Sequence, residues 1–308
     1  MSYPLRRAPH WAKALVLSCL CVALASCAWL DTKQRQLALR PTPAVGASFD
    51  GLRQGDLVLN RTLPGAADGA AERVQLWWLP HPDAQAPTLL YLHGTFRNLF
   101  QNLPKIDALR EAGFAIVAVD YRGWGESTPI VPSEESIYAD ARLAWQELQK
   151  REPNACRRVI YGHSLGGAVA VELASQLKFG TDYAALILES TFTSLPEVSA
   201  AAGFWGQLGA MLTTLRFDSR SKIGNVDAPI LMLHGEQDHT VPVDLGRQLR
   251  DAAPADTRWV EIPGGSHSRL HSYAPQTYQQ AMHELIEQVR LNAGSTGSRR
   301  CGSDGKGQ

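Results

Sequence analysis

The sequence lacks any excess of charge: its 308 residues carry 30 Lys and Arg against 30 Asp and Glu. Without a basic balance, a nucleic-acid partner has no electrostatic support. A long apolar run is also missing. The most apolar stretch, Ala14 to Ala25, falls well short of the roughly 20 residues that a membrane-spanning helix needs. There is no internal repeat, which excludes a solenoid or propeller. No grouping of His, Cys, Asp or Glu has metal-ligand spacing, so neither metal nor cofactor is expected. Cysteine is scarce, with five in the chain. Cys19 and Cys21 sit in the N-terminal apolar run, leaving Cys27, Cys156 and Cys301. These set no disulfide framework, and a bridge between Cys156 and Cys301 stays open.

The chain is long enough for one large α/β domain with a sizeable core. Its first residues read as a targeting segment. Arg6, Arg7 and Lys13 precede the apolar run, which ends Leu24-Ala25-Ser26-Cys27. Small residues there fit a signal peptidase site. A cysteine directly after them resembles the lipobox of bacterial lipoproteins. That resemblance implies cleavage before Cys27, acylation of its thiol and amine, and a place in the bacterial cell envelope. Ala28 rather than aspartate after the cysteine implies outer-membrane sorting, facing the periplasm. An ordinary secretory signal or an uncleaved anchor is the alternative. The expected organisation is a signal peptide over 1–26, a tether over 27–48, a domain over 49–292 and a disordered tail over 293–308.

Within the domain, Asp56 to Thr62 and Val74 to Leu79 read as a hairpin turned at Gly65–Gly69. Thr88–Leu92, Phe114–Val119, Arg158–Tyr161, Ala185–Glu189, Ile230–Leu233 and Arg258–Ile262 are short, largely apolar runs. Such runs suit strands buried on both faces. Helical periodicity fills the intervals, as at Ile137, Ala141, Ala144, Trp145 and Leu148. The alternation predicts a mostly parallel sheet with helices on both faces. Residues 191–226 are too long for one crossover helix. They predict a small helical cap, with Phe204, Trp205, Leu208, Met211 and Leu212 on one apolar face that contacts substrate.

Gly162-His163-Ser164-Leu165-Gly166 stands between a strand and a helix. A serine at so tight a turn takes a strained conformation that lifts its hydroxyl out of the sheet. Its neighbours two residues away need glycine. A serine hydroxyl is a weak nucleophile until a base removes its proton. Asp238 and His267 each follow a later strand, in the chain order serine, acid, base. Ser164, Asp238 and His267 are therefore the candidate catalytic residues. Glu236 is the rival acid, and Asp120 is assigned a structural role, pairing with Arg122. His93 and His234 end strands and are expected to bond loop backbone. The amides of Leu165, at the helix start, and Thr95, after His93-Gly94, are the candidate oxyanion donors.

The segments His93-Gly94, Asp120-Tyr-Arg-Gly-Trp-Gly-Glu-Ser127, Gly162-His-Ser-Leu-Gly-Gly167, Leu188-Glu-Ser-Thr-Phe-Thr-Ser194, Leu233-His-Gly-Glu-Gln-Asp238 and Gly264-Gly-Ser-His267 occur in one order. That series resembles the α/β-hydrolase superfamily. More narrowly it is similar to the Bem46-like serine hydrolases, related to the ABHD12, ABHD13 and ABHD17 group. The resemblance runs from about Leu57 to Val289 and implies a cofactor-free esterase, thioesterase or lysophospholipase. Members of the group often read His-Gly-Asn-Ala-Gly where this chain has His93-Gly-Thr-Phe-Arg-Asn98, so the second oxyanion donor differs. The expected substrate is a small-molecule or lipid acyl ester or thioester, with the membrane as partner through the lipid anchor. A serine peptidase of the same fold and a non-catalytic binding lipoprotein are the other two readings.

Overall fold

The computed structural model describes residues 10–43, 51–64 and 71–294. The Gly65–Gly69 turn, the start of the targeting segment, the end of the tether and Cys301 lie outside the described residues. Eight strands alternate with helices in the described chain: α1 (His10–Leu39), β1 (Leu57–Pro64), β2 (Ala71–Leu79), β3 (Thr88–Leu92), α2 (Leu99–Glu111), β4 (Ala115–Asp120), α3 (Glu134–Arg151), β5 (Arg158–His163), α4 (Leu165–Ala174), β6 (Ala185–Glu189), α5 (Leu195–Ala201), α6 (Phe204–Leu212), α7 (Arg220–Ile223), β7 (Ile230–Gly235), α8 (Val243–Ala252), β8 (Arg258–Ile262), α9 (Leu270–Tyr273) and α10 (Pro275–Gly294).

The strands form one sheet in the order β1-β2-β4-β3-β5-β6-β7-β8. The leading hairpin β1–β2 is antiparallel and joins β4 antiparallel, and the other neighbours are parallel. The central strands β3, β4, β5 and β6 are buried along their whole length. Two apolar layers flank them, because successive side chains of a strand point to opposite faces. Leu90, Val117, Ile160 and Leu186 meet α3 and α4 on one side. Leu89, Ile116, Val159 and Ile187 meet α2 and α10 on the other. Parallel strands place their carboxyl ends along one edge, where the loops after β3, β5, β6, β7 and β8 gather.

Helix α2 starts on a capping box: the Asn98 side chain accepts from Gln101 N, and the Gln101 side chain accepts from Asn98 N. Helix α3 starts on Ser133 in the same manner, with Glu134 and Glu135 in its first turn, where the helix dipole favours negative charge.

Two expectations need correction. Residues read as a free tether run as helix to Leu39, which is fully buried in the core. Gln34 and Asp31 bond Thr214 of the cap, and Thr42 O accepts from Gly125 N. An apolar helix face was available to dock, and a local reading cannot see its distant partner. Secondly, Asp120 does not pair with Arg122. Arg122 binds Asp140 at 2.8 Å and Glu72 at 2.5 Å, while Asp120 Oδ1 accepts from the Leu99 amide that opens α2. Cys156, whose pairing the sequence leaves open, is disulfide-bonded. Among the described residues no helix is long and apolar enough to cross a membrane.

Candidate active site

The turn from β5 to α4 is as tight as its glycines imply. Ser164 sits at φ 54° and ψ −121°, a region that side chains rarely occupy. A Cβ at Gly162 would stand 2.2 Å from the Gly166 carbonyl oxygen, and one at Gly166 would stand 2.0 Å from that of Leu92. Only glycine fits at either place. The strain is held by neighbours on both sides: Ser164 N donates to Glu189 O at 2.9 Å, and Ser164 O accepts from Gly167 N and Thr191 Oγ1.

Three side chains from three strand ends meet there. His267, beyond β8, brings Nε2 to 3.0 Å from Ser164 Oγ. Its Nδ1 lies 2.7 Å from Asp238 Oδ2, beyond β7. Asp238 Oδ1 accepts from the amides of Thr240 and Val241 at 2.9 and 2.8 Å, so the carboxylate is fixed. Burial alone would raise the Asp238 carboxyl. Hydrogen bonds from His234 and His267 outweigh that and hold it well below the usual carboxylate range. Asp238 is therefore ionised at neutral pH and orients the imidazole. Glu236, the rival acid, is exposed and accepts from Gly264 N instead.

Two histidines take part that sequence reasoning placed only coarsely. His163 Nε2 donates to the His267 carbonyl at 3.0 Å, which fixes the backbone of the base. Burial pushes His163 well below the usual histidine range, helped by the nearby charges of Lys105 and His267, so it stays neutral. His234 Nε2 donates to Val241 O at 2.9 Å and lies 3.3 Å from Asp238 Oδ2. Backbone bonding by His234 is as expected; its approach to the acid is not. The only signal in the sequence is the short spacing between His234 and Asp238, which many loops share.

Beneath the turn lies a buried charge pair. Lys105 of α2 binds Glu189 at the end of β6. The other Glu189 oxygen accepts from Tyr161 at 2.5 Å and Tyr278 at 3.1 Å. Burial lowers the Lys105 amine, and Glu189 opposes that. Breaking such a pair leaves a bare charge in the core, at a cost of about 3–5 kcal/mol. Lys105→Met is expected to lower Tm by about 10 °C in a thermal melt. Adding Glu189→Gln should recover at least half of that, since no uncompensated charge then remains.

Ser164 opens onto a cavity of about 480 Å³. Thr95 and Leu165, the candidate oxyanion donors, line the same cavity as Ser164. Leu165 opens α4, where the amide has no acceptor within the helix. The remaining wall is mostly apolar: Phe192, Leu195 and Val198 from below, and Leu212 from α6. Leu30, Leu37 and Ala38 of α1 close it. The expected substrate-facing stripe of α6 is thus corrected. Leu212 reaches the cavity, but Phe204, Trp205 and Met211 do not line it and stand in solvent. The chain breaks at Gly203, with φ 88°, and this turns α6 away from the line of α5. Among the described residues no cluster could hold a metal ion. Cys27 is exposed on α1 with a free thiol.

The family model Hydrolase_4, described as serine aminopeptidase, S33, matches residues 83–222. The uncharacterized protein Rv2307c of Mycobacterium tuberculosis is 35% identical over 213 residues, which cover 67% of this chain and 74% of that protein. The lysophosphatidylserine lipase ABHD12 of Danio rerio is 35% identical over 193 residues, 58% of this chain and 50% of the lipase. The chain thus spans about half the length of that relative. Among solved structures, the Pyrococcus furiosus esterase Pf2001 matches with a TM-score of 0.63 at 16% identity, over 81% of this chain and 97% of the esterase. Likeness at that identity speaks to fold, and the sequence relatives speak to family. The chain belongs to the α/β-hydrolase superfamily and, within it, to the ABHD12-like serine hydrolases.

Proposed function

We propose that the protein hydrolyses carboxylic ester or thioester bonds of apolar acyl groups through Ser164, His267 and Asp238. The observation that carries this reading is the hydrogen-bonded chain from Asp238 through His267 to Ser164, ending at an apolar cavity. Ser164 Oγ attacks the acyl carbonyl while His267 Nε2 takes its proton. The amides of Leu165 and Thr95 stabilise the oxyanion. Collapse breaks the bond to the alcohol or thiol, which leaves with the proton from His267. Water, deprotonated by His267, then releases the acid from the acyl-enzyme. No step needs a cofactor.

The family description raises the aminopeptidase reading. An aminopeptidase must hold a free α-amine, yet the described cavity wall carries no carboxylate. A lysophospholipid or other lipid acyl ester suits that wall better, and the ABHD12 relative is a lysophosphatidylserine lipase. The test is a panel of p-nitrophenyl esters, acyl thioesters, lysophospholipids and aminoacyl p-nitroanilides. Turnover of the anilides alone would favour a peptidase. No turnover and no fluorophosphonate labelling would leave a binding module.

Chain length is the sharper measurement. Each buried methylene contributes about 0.8 kcal/mol, so two added carbons should raise kcat/KM about tenfold until the cavity is full. Leu212→Ala should move the optimum to longer chains, and Val198→Phe to shorter ones. A profile that neither change moves would place the acyl group elsewhere.

The lipoprotein reading of the N-terminus is part of this proposal: a mature chain beginning at Cys27, acylated there, in the envelope of a bacterium. The disulfide at Cys156 fits such an oxidising compartment.

A further inference from the structure

Helix α6 poses a physical problem. It reads Phe-Trp-Gly-Gln-Leu-Gly-Ala-Met-Leu, yet it buries no residue. Phe204, Trp205 and Met211 are 73, 78 and 83% exposed. A helix apolar nearly all round is ordinarily buried. Nor is α6 alone. Trp29, Leu30 and Leu37 are exposed on α1, and the Thr214 hydroxyl, which accepts from Gln34 and donates to Asp31, ties α1 to the chain just after α6. Leu30, Leu37 and Leu212 also line the cavity that holds Ser164. Leu30, Leu37 and Leu212 thus connect the exposed apolar residues of α1 and α6 to the cavity wall, and together these residues are a collar beside the cavity. Residues 198–215 contain no charged side chain, in a sequence where 19% of residues are charged.

We propose that this collar docks on the acyl layer of a lipid bilayer, so that an acyl substrate passes from the membrane directly to Ser164. The second half rests on the hydrolase reading; the docking itself does not. Two observations favour lipid over a protein partner. Protein interfaces set polar and charged rims around their apolar centres, whereas α6 offers only Gln207 as a polar side chain. The collar also continues into the membrane-directed part of the sequence. Trp29 and Leu30 lie on the same helix as the apolar run Ala14–Ala25, just beyond Cys27. On the lipoprotein reading proposed above, acyl chains on Cys27 would hold the near end of the collar at lipid. Exposed aromatic side chains suit the interfacial zone, where one face meets acyl chains and the other meets water.

The test uses the full-length protein with phosphatidylcholine vesicles whose acyl chains are brominated, which quenches only tryptophans that reach them. Trp205→Phe should remove a clear part of the quenching, about half or more of the wild-type amplitude. That Trp205-dependent part should persist in Cys27→Ser at high lipid concentration. The variant Phe204→Ser, Trp205→Ser, Met211→Ser should hydrolyse an acyl ester embedded in the vesicles at least tenfold more slowly. It should keep soluble p-nitrophenyl butyrate turnover within about threefold, because none of the three lines the cavity. Quenching that ignores Trp205→Phe would overturn the proposal. So would a wild-type dimer that the triple variant turns into a monomer without any Trp205-dependent quenching, which would make a second copy the occupant. Trp205-dependent quenching without turnover of any ester would leave the docking standing and remove the hydrolase reading instead.

Discussion

Ser164→Ala is expected to abolish ester hydrolysis, with kcat falling on the order of 10³-fold or more, while the fold stays intact. The reasoning is local. The hydroxyl bonds His267 Nε2 at 3.0 Å, and it packs into no apolar cluster. Alanine keeps the Cβ and therefore keeps the strained φ of 54°, so neither strain nor packing changes much. Thermal stability should stay within about 1 kcal/mol of wild type. Ser164→Gly makes a useful contrast. Glycine tolerates that backbone, so relief of strain should raise Tm while activity is lost just the same. Activity is read with p-nitrophenyl butyrate, and the nucleophile by fluorophosphonate labelling. Labelling that survives Ser164→Ala would assign the nucleophile to another residue.

Why the sequence made Ser164, Asp238 and His267 readable is physical. Each follows an apolar strand of a parallel sheet, and parallel strands deliver their carboxyl ends to one edge. Local patterns therefore imply a shared location, even though residues 103 apart are involved, as Ser164 and His267 are. The glycines at 162 and 166 add a steric signature that no side chain could mimic. Helix positions were legible for the same reason: Ile137, Ala144 and Leu148 repeat with the helical period and all point into the core.

What stayed hidden depends on contacts that leave no periodic trace. Leu30 and Leu37 look like ordinary positions on a surface helix, yet they wall the cavity. Their role follows from where α1 lands, and Gln34 with Asp31 decides that through Thr214. The partners of Asp120 and Arg122 are hidden because the two stand only two residues apart, Asp120 closing β4 and Arg122 in the turn after it. Proximity in sequence favours pairing them. In the fold Arg122 turns to Asp140 of α3, and Asp120 turns to the start of α2. The cap was visible as an apolar stretch, but the direction of each side chain was not. Beyond the break at Gly203, Trp205 and Leu212 share one short helix, yet Leu212 meets the cavity and Trp205 meets solvent.

Asp238→Asn should lower kcat by about 10⁴-fold, the size seen where a serine protease loses the same carboxylate, whereas Asp120→Asn should leave kcat within a few-fold. The difference follows from which oxygen each partner uses. Asp238 Oδ1 accepts from two backbone amides, Thr240 and Val241. In the asparagine variant the amide oxygen is held there, so the NH₂ group takes the place of Oδ2. It then faces His267 Nδ1 at the 2.7 Å contact. Two donors cannot share that contact, so His267 must move its proton to Nε2 and ceases to be a base for Ser164. The same NH₂ group faces His234 Nε2, which is committed as a donor to Val241 O. Stability should change as well, with a definite sign. The Asp238 carboxyl is held below its ordinary range in the fold. Its ionised form therefore stabilises the protein above the unfolded value, roughly pH 4, and that contribution fades as pH falls further. The Tm gap between wild type and Asp238→Asn should be full at pH 7 and narrow below pH 4. Asp120 Oδ1 instead accepts from the Leu99 amide at the start of α2, a helix-start contact of the kind worth about 0.5–2 kcal/mol. Asp120→Asn should therefore lower Tm modestly and leave the pH–rate profile unmoved. If Asp120→Asn proves the more damaging to kcat, with Asp238→Asn nearly silent, the acid that orients His267 has been misassigned.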